Sequence, residues 1–405
     1  MRGKLLTRAG ISDRQVGRQG DLGAPIRVLH TNFHLGWGGQ AARVFVLCRG
    51  LKEKGVDVTV AAPRGSVLVR KCAEAGIRTL DNVRFSKGFR PVDFLHDVRS
   101  LRRFILTNQP DILHTHGSQD TWSGAVAAFC VSNAVRPAVV RTRHNTFPVA
   151  YSLLNRFLYR WFIDHLIIVS DSVRERYARF IEGGVILPEQ VSTVHSCIEV
   201  ERFEPDKVGK AKARETLGLS SEGPVVAVAA RLAREKGHRF LLEAMASVKE
   251  KFADIVLLVA GEGNQEGVLR SQVKDLGLSG NVRFLGFCDD VVPVFAAADV
   301  AVLPSIDCDA SSASIKEAMA MRVPVVATNI GGAAEIIEDG VTGLIVPPQD
   351  AQALADAITR LLRDETGRAR MGRAARAAVI GRFTPRNLVN ETLAIYQEMM
   401  ERGRD

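Results

Sequence analysis

No stretch of the 405-residue chain approaches eighteen consecutive apolar residues, which excludes a membrane-spanning helix as a reading of any segment. Its six cysteines (Cys48, Cys72, Cys130, Cys197, Cys288 and Cys308) are scattered, with no C-x-x-C pair and no histidines at zinc-ligand spacing. Neither a disulfide framework nor a structural metal is expected, and a reducing cytoplasm fits such thiols best. There is no fixed-period repeat and no low-complexity segment. The first 24 residues are polar and basic, lack the apolar block of a secretory signal, and read as a flexible tail. What is present, 46% hydrophobic and 24% charged residues, is a globular composition that excludes disordered and fibrous classes.

A chain of 405 residues exceeds what one hydrophobic core usually serves, so two domains are expected. Short runs apolar on both faces recur between amphipathic stretches: "IRVLHTNF", "VDVTVAA", "DILHTH", "AVVRTRH" and "HLIIVS", then "VVAVAARL", "IVLLVAGEG", "VRFLGF", "VAVLPS", "VPVVAT" and "TGLIVP". That alternation predicts α/β architecture with doubly wound parallel sheets covered by helices, built twice. The charged, proline-bearing segment near 196–210 breaks the rhythm, giving one domain over 25–195 and a second over 196–383. A last helix over 384–405, restarting at Pro385, can dock on either domain. Open sheets of this kind bind ligands at the carboxyl ends of their strands, so a cleft shared by the two domains is where chemistry is expected.

Four groups of residues lie at such strand ends. Gly36-Trp37-Gly38-Gly39 follows the first strand, where missing Cβ atoms and a helix start suit a phosphate or a sugar; the plainer reading is a glycine turn. Arg231 and Lys236, five positions apart, can neutralise a diphosphate, or form only a solvated basic turn. In "DASSASIKEAM", the amides of Ala310, Ser311 and Ser312 can meet a diphosphate at a helix start, with Asp309 on sugar hydroxyls and Glu317 on a ribose. The plainer reading of Ser314-x-x-Glu317 is a capping box. Asp307-x-Asp309 also has the D-x-D shape of a metal-held diphosphate, which would make Arg231 and Lys236 redundant. His116 and His144 close two first-half strands and can bond sugar hydroxyls, whereas His114 reads as structural.

Taken together these motifs resemble the retaining glycosyltransferases of the glycogen-synthase-like GT4 type (glycosyl transferases group 1), whose fold is GT-B, two Rossmann-like domains facing across a cleft. "ARLAREKG" is similar to the family's G-R-L-x-x-E-K-G, and residues 309–317 followed by "GGAAEI" to its E-x7-E and G-G-x-x-E-x-(I/V) stretches. The resemblance covers about residues 26 to 400. It implies transfer from a UDP- or GDP-linked sugar with retained anomeric configuration, no metal and no other cofactor. Arg231 and Lys236 would stabilise the leaving diphosphate, Gly38 and Gly39 would close over it, and His116 would lie near the donor sugar. Glu317 would take the ribose and Phe287 would lie by the base. Three departures stand out: Asp309 in place of Glu, Ala310-Ser311-Ser312 in place of glycine-aromatic-glycine, and Ser196-Cys197-Ile198-Glu199 in place of N-G-(I/V)-D.

The net charge of +9 calls for an anionic partner. A glycan or lipid-linked acceptor of the cell envelope, as in lipopolysaccharide or exopolysaccharide synthesis, is expected. "RFSKGFRPVDFLHDVRSLRRFIL" and "YSLLNRFLYRWFIDH" interleave arginines with aromatics, as peripheral seating on the anionic inner face of the cell membrane requires. Amphipathic helices with snorkelling arginines give the same pattern. A nucleotide-sugar epimerase on the same fold and a non-enzymatic polyanion binder are the alternatives. Acidic residues interspersed throughout speak against the latter, and no nucleic-acid partner is expected.

Overall fold

The computed structural model describes residues 25–307 and 309–402. The expected tail and Cys308 lie outside the described residues. The first sheet holds β1 (Arg27–Thr31), β2 (Asp57–Ala61), β3 (Arg78–Leu80), β4 (Ile112–Thr115), β5 (Ala138–Arg143), β6 (His165–Ile168) and β7 (Val191–Thr193). All neighbours pair in parallel, in the order β3-β2-β1-β4-β5-β6-β7. The second holds β8 (Val225–Ala229), β9 (Val256–Ala260), β10 (Val282–Gly286), β11 (Val300–Leu303), β12 (Val325–Thr328) and β13 (Gly343–Val346), in the order β10-β9-β8-β11-β12-β13.

Parallel strands need both faces covered, and the burial patterns show it: β4, β6, β11 and β12 are buried at every position. Each sheet separates an apolar core on either side, with Leu29, Leu113 and Ile168 on one face of the first and Val28, Ile112 and Ile167 on the other. The helix Pro385–Arg402 packs on the first domain, its Leu388, Val389, Ile395 and Tyr396 joining the core of β1, β2 and the helix Gly39–Glu53.

In each sheet the strand order reverses once, between β1 and β4 and between β8 and β11, which opens a crevice at the carboxyl ends. These two edges face one another. Ala310, past β11, packs within the first domain's core. Glu335 accepts the Asp171 and Ser172 amides past β6 at 2.8 and 3.0 Å. The segment between the sheets is pinned from both sides. Arg43 reaches the Ser196 hydroxyl and the Val194 carbonyl, each at 2.9 Å, and Lys316 Nζ donates to the Ser196 carbonyl at 2.6 Å.

Candidate active site

The second domain supplies a compact polar hub. Past β8, Arg234–Lys236 form a single 3-10 turn that ends on Gly237, held at φ +66 with its α-carbon against the Pro304 carbonyl, where a Cβ would collide. That contact seats Lys236 beside the loop after β11. Lys236 Nζ donates to Asp309 Oδ2 at 2.9 Å, and the Ser305 and Ser312 hydroxyls donate to the same oxygen at 3.1 Å each. Gly331, at φ +59 against the Asp309 carbonyl, and the Gly332 amide, which donates to that carbonyl at 2.9 Å, fix the loop from the other side. The double glycine therefore positions Asp309.

Asp309, the residue expected on sugar hydroxyls, has its Oδ2 taken by three donors. Although one methylene shorter than Glu, it spans the gap to Lys236 directly. A carboxylate oxygen so loaded is a poor half of a D-x-D metal pair. Arg231 stands apart from this hub, mostly exposed and paired with Glu235 at 2.6 Å. The two cations lie on one turn, but only Lys236 is inside the hub.

The helix Ala313–Ala320 begins at Ser312, whose side chain serves Asp309 and leaves the helix start without a side-chain cap. The capping-box reading fails: Ser314 lies inside the helix, so Glu317 cannot reach back to it. Burial pushes the Glu317 carboxyl up to about 7 against the pull of Arg202 and Lys316. Ser311 bonds Lys316 through its hydroxyl at 2.8 Å, and Ala310 is buried against the first domain, so these two contribute backbone only. Phe287, past β10, is exposed, and its amide donates to Glu262 Oε1 at 3.2 Å.

Across the cleft, Gly36, Gly38 and Gly39 lie in the turn into the helix Gly39–Glu53. A Cβ at any of the three would meet open space. Protein packing does not demand glycine there, which leaves room above the turn as the demand. Asp120 ties β1 to β4 by accepting the Thr31 hydroxyl at 2.6 Å and the His116 amide at 2.9 Å. His116 is buried with both ring nitrogens spent, Nε2 on His30 at 3.1 Å and Nδ1 on His144 at 3.0 Å. His144 is half-buried, and its Nε2 is taken by His116 while its Nδ1 has no hydrogen-bond partner among the described residues.

Lys316, Asp120, Glu335, His30 and Tyr396 were not singled out from sequence. Lys316 had one signal: a lysine next to Ile315 on a helix whose other charged residue is Glu317. It is fully buried, with Nζ also 5.0 Å from the centroid of the Phe383 ring, and burial brings its pKa down to about 7.

Two doubly wound domains whose strand-end crevices face each other, with a lysine-carboxylate hub at an uncapped helix start, define the GT-B fold in which glycosyltransferases are built. The known proteins agree. Residues 37–202 match Glycosyltransferase Family 4, and residues 209–378 match Glycosyl transferases group 1. The chain is 30% identical over 317 residues to the putative glycosyltransferase EpsD of Bacillus subtilis, covering 75% of this chain and 80% of EpsD. It is 28% identical over 378 residues to the phosphatidyl-myo-inositol mannosyltransferase of Mycobacterium leprae, covering 90% and 94%. Among solved structures, a glycosyltransferase from Rickettsia africae superposes with TM-score 0.82 at 22% identity over 93% of this chain and 99% of that one. Anabaena HepE in complex with UDP gives 0.76 at 21% identity over 93% and 100%. The protein belongs to this family of group 1, family 4 glycosyltransferases.

Proposed function

We propose that the protein transfers a hexose from a UDP- or GDP-linked donor to an envelope glycan or glycolipid, with retention at the anomeric carbon. The observation that carries this is the Lys236–Asp309 pair at the uncapped start of Ala313–Ala320, opposite the open glycine turn. In the reaction the bond from the anomeric carbon to the diphosphate oxygen breaks, and the acceptor oxygen bonds to that carbon on the same face. The acceptor proton passes to the departing phosphate. Lys236, the amides at the helix start, and Arg231 once drawn off Glu235 would meet the charge that develops on the leaving group. These cations supply what a metal supplies in D-x-D enzymes, so turnover is expected to survive EDTA. Glu317 is the candidate ribose ligand, and Phe287 lies on the base side.

The relative that is a phosphatidyl-myo-inositol mannosyltransferase supports a glycolipid acceptor. So does a cavity of about 580 Å³ in the first domain, lined by Phe85, Phe89, Phe94, Trp122 and Leu154 and reaching Ser118, two residues beyond His116. An apolar portion of the acceptor fits there. A panel of nucleotide sugars, scored for transfer and hydrolysis, tests the donor. The matching nucleoside diphosphate is expected to raise the melting temperature, by about 2.7 kcal/mol of stability at a hundredfold excess over Kd. Stabilisation by heparin with no response to any nucleotide would favour the polyanion binder.

No helix among the described residues is long and apolar enough to cross a membrane. Peripheral seating is proposed on the face carrying Phe89, Val92, Leu153 and Leu154, all strongly exposed. Several arginines there lie over rings, Arg156 over Tyr151 and Arg160 over Trp161, as snorkelling side chains do. Arg102→Glu with Arg103→Glu is expected to reduce sedimentation with anionic vesicles; binding that survives would refute this patch as its source.

A further inference from the structure

Four imidazoles and one phenol form a single file behind the first domain's side of the cleft. His144 Nε2 lies 3.0 Å from His116 Nδ1, and His116 Nε2 lies 3.1 Å from His30 Nδ1. His30 Nε2 is 3.5 Å from the Tyr396 hydroxyl, which also meets His114 Nδ1. His114 Nε2 ends the file on Thr142 Oγ1 at 2.7 Å. The rings come from β1, β4 and the end of β5, and the phenol from the helix Pro385–Arg402.

A neutral imidazole donates through one nitrogen and accepts through the other. Burial keeps these rings neutral, pushing all four pKa values down, that of His30 to about 3; neighbouring rings and Arg43 add to the effect on His114 and His116. In a file of neutral rings each link has one donor and one acceptor, so the tautomer of one ring dictates the next. The Tyr396 hydroxyl has no partner besides His114 and His30 among the described residues, so accepting from both would strand its buried O–H; it donates to one and accepts from the other, and all four rings then carry hydrogen on Nδ1, or all four carry it on Nε2. Thr142 decides between them. Its buried hydroxyl has His114 as its partner and no other among the described residues. Donating into His114 Nε2 uses that proton, whereas the opposite sense strands a buried O–H at a cost of about 1–3 kcal/mol. The sense is then His114 Nδ1–H to Tyr396, Tyr396 O–H to His30, His30 to His116, and His116 to His144. The last N–H, on His144 Nδ1, has no acceptor among the described residues.

One nitrogen from each of His30, His114 and His116 lies within 4.8 Å of the others, which also suggests a metal. Ligand nitrogens around a tetrahedral zinc, each about 2.0–2.1 Å from it, sit closer together than that. Here both nitrogens of every one of these rings are already engaged.

We propose that this file fixes His144 as a hydrogen-bond donor to a sugar oxygen in the cleft, with Tyr396 and His30 as positioning residues for the transfer. The link to transfer rests on the sugar-binding reading of the cleft; the tautomer order does not. Ring nitrogen-15 NMR of the full-length, ligand-free protein labelled at its nine histidines tests the order directly. At least five Nδ1–H rings are expected, the four in the file and His195, whose Nδ1 donates to the Val169 carbonyl. Finding the file's rings as Nε2–H, or as mixed tautomers, overturns the proposal whatever the activity.

Tyr396→Phe keeps the packing and removes the hydroxyl. It is expected to reduce the Nδ1–H count and to lower kcat/KM about three- to tenfold with UDP-glucose or GDP-mannose as donor. Val389→Ala loosens the same helix without touching the file and should leave the tautomers unchanged. His144→Asn, which places an amide N–H where Nδ1 stood, should retain more activity than His144→Ala. Wild-type turnover in Tyr396→Phe would also overturn the role. Should no nucleotide sugar be turned over at all, the proposed function fails while the tautomer count still decides the file.

Discussion

Lys236→Ala is expected to lower kcat/KM for the donor by about two to three orders of magnitude, the scale on which removing one preorganised charge at a developing anion is felt. Lys236 is mostly buried and held by Asp309, so it is already in place when the diphosphate departs and costs no reorganisation. The variant also has a structural consequence. Asp309 Oδ2 would keep only the Ser305 and Ser312 hydroxyls, leaving a buried carboxylate without its counter-ion, which costs stability. Adding Asp309→Asn separates the two effects, since a neutral amide no longer needs the lysine. The double variant should recover stability and stay inactive. Undiminished turnover in Lys236→Ala would contradict the assigned role, and recovery of turnover in the double variant would make the pair structural.

Acidification is expected to unfold the protein early. His30, His114 and His116 are fully or almost fully buried, and burial depresses all three below the usual 6.5. Below pH 6.5 the unfolded chain therefore binds protons that the folded chain refuses, so unfolding free energy falls as pH falls. The stabilisation is complete above about pH 7.5 and is lost on acidification through 6.5. His30, whose pKa falls to about 3, contributes about 1–2 kcal/mol between pH 6.5 and 5, and His114 and His116 act in the same direction. Asp120, beside His116, works the other way: burial raises its pKa, so it is more readily protonated when folded and offsets part of the loss near its own range. Thermal denaturation from pH 8 to 5 checks the sum, and a melting temperature that stays level down to pH 5 would show that the rings are not buried as described.

All six strands of the second domain were legible, as were five of the seven in the first. The two missed strands, β3 and β7, have three residues each and lie at the sheet's edges, too short for an apolar run to stand out. "YSLLNRFLYRWFIDH" gave no long helix: an α-helical turn over Leu153–Phe157 passes into a π-helical one over Leu158–Phe162. The same run buries Leu158, Tyr159 and Phe162 while exposing Leu153 and Leu154, so no single face carries the pattern. At the site, Arg231 and Lys236 look equivalent in "ARLAREKG". The structure separates them because the turn closing on Gly237 sends one side chain to Asp309 and the other to Glu235.

The amino-acid order by itself determined what acts over a few residues: alternating strands and helices, the glycine turn after β1, two cations at a strand end, and a helix start rich in small residues. Periodicity and turn chemistry are local, so they survive in one dimension. Tertiary structure alone decided the pairings, Lys236 with Asp309 across 73 positions, His30 with His116 across 86 and His114 with Tyr396 across 282. Such partners are chosen by strand order and by which domain the final helix covers, and those depend on how two whole sheets bury their faces rather than on any neighbouring residue.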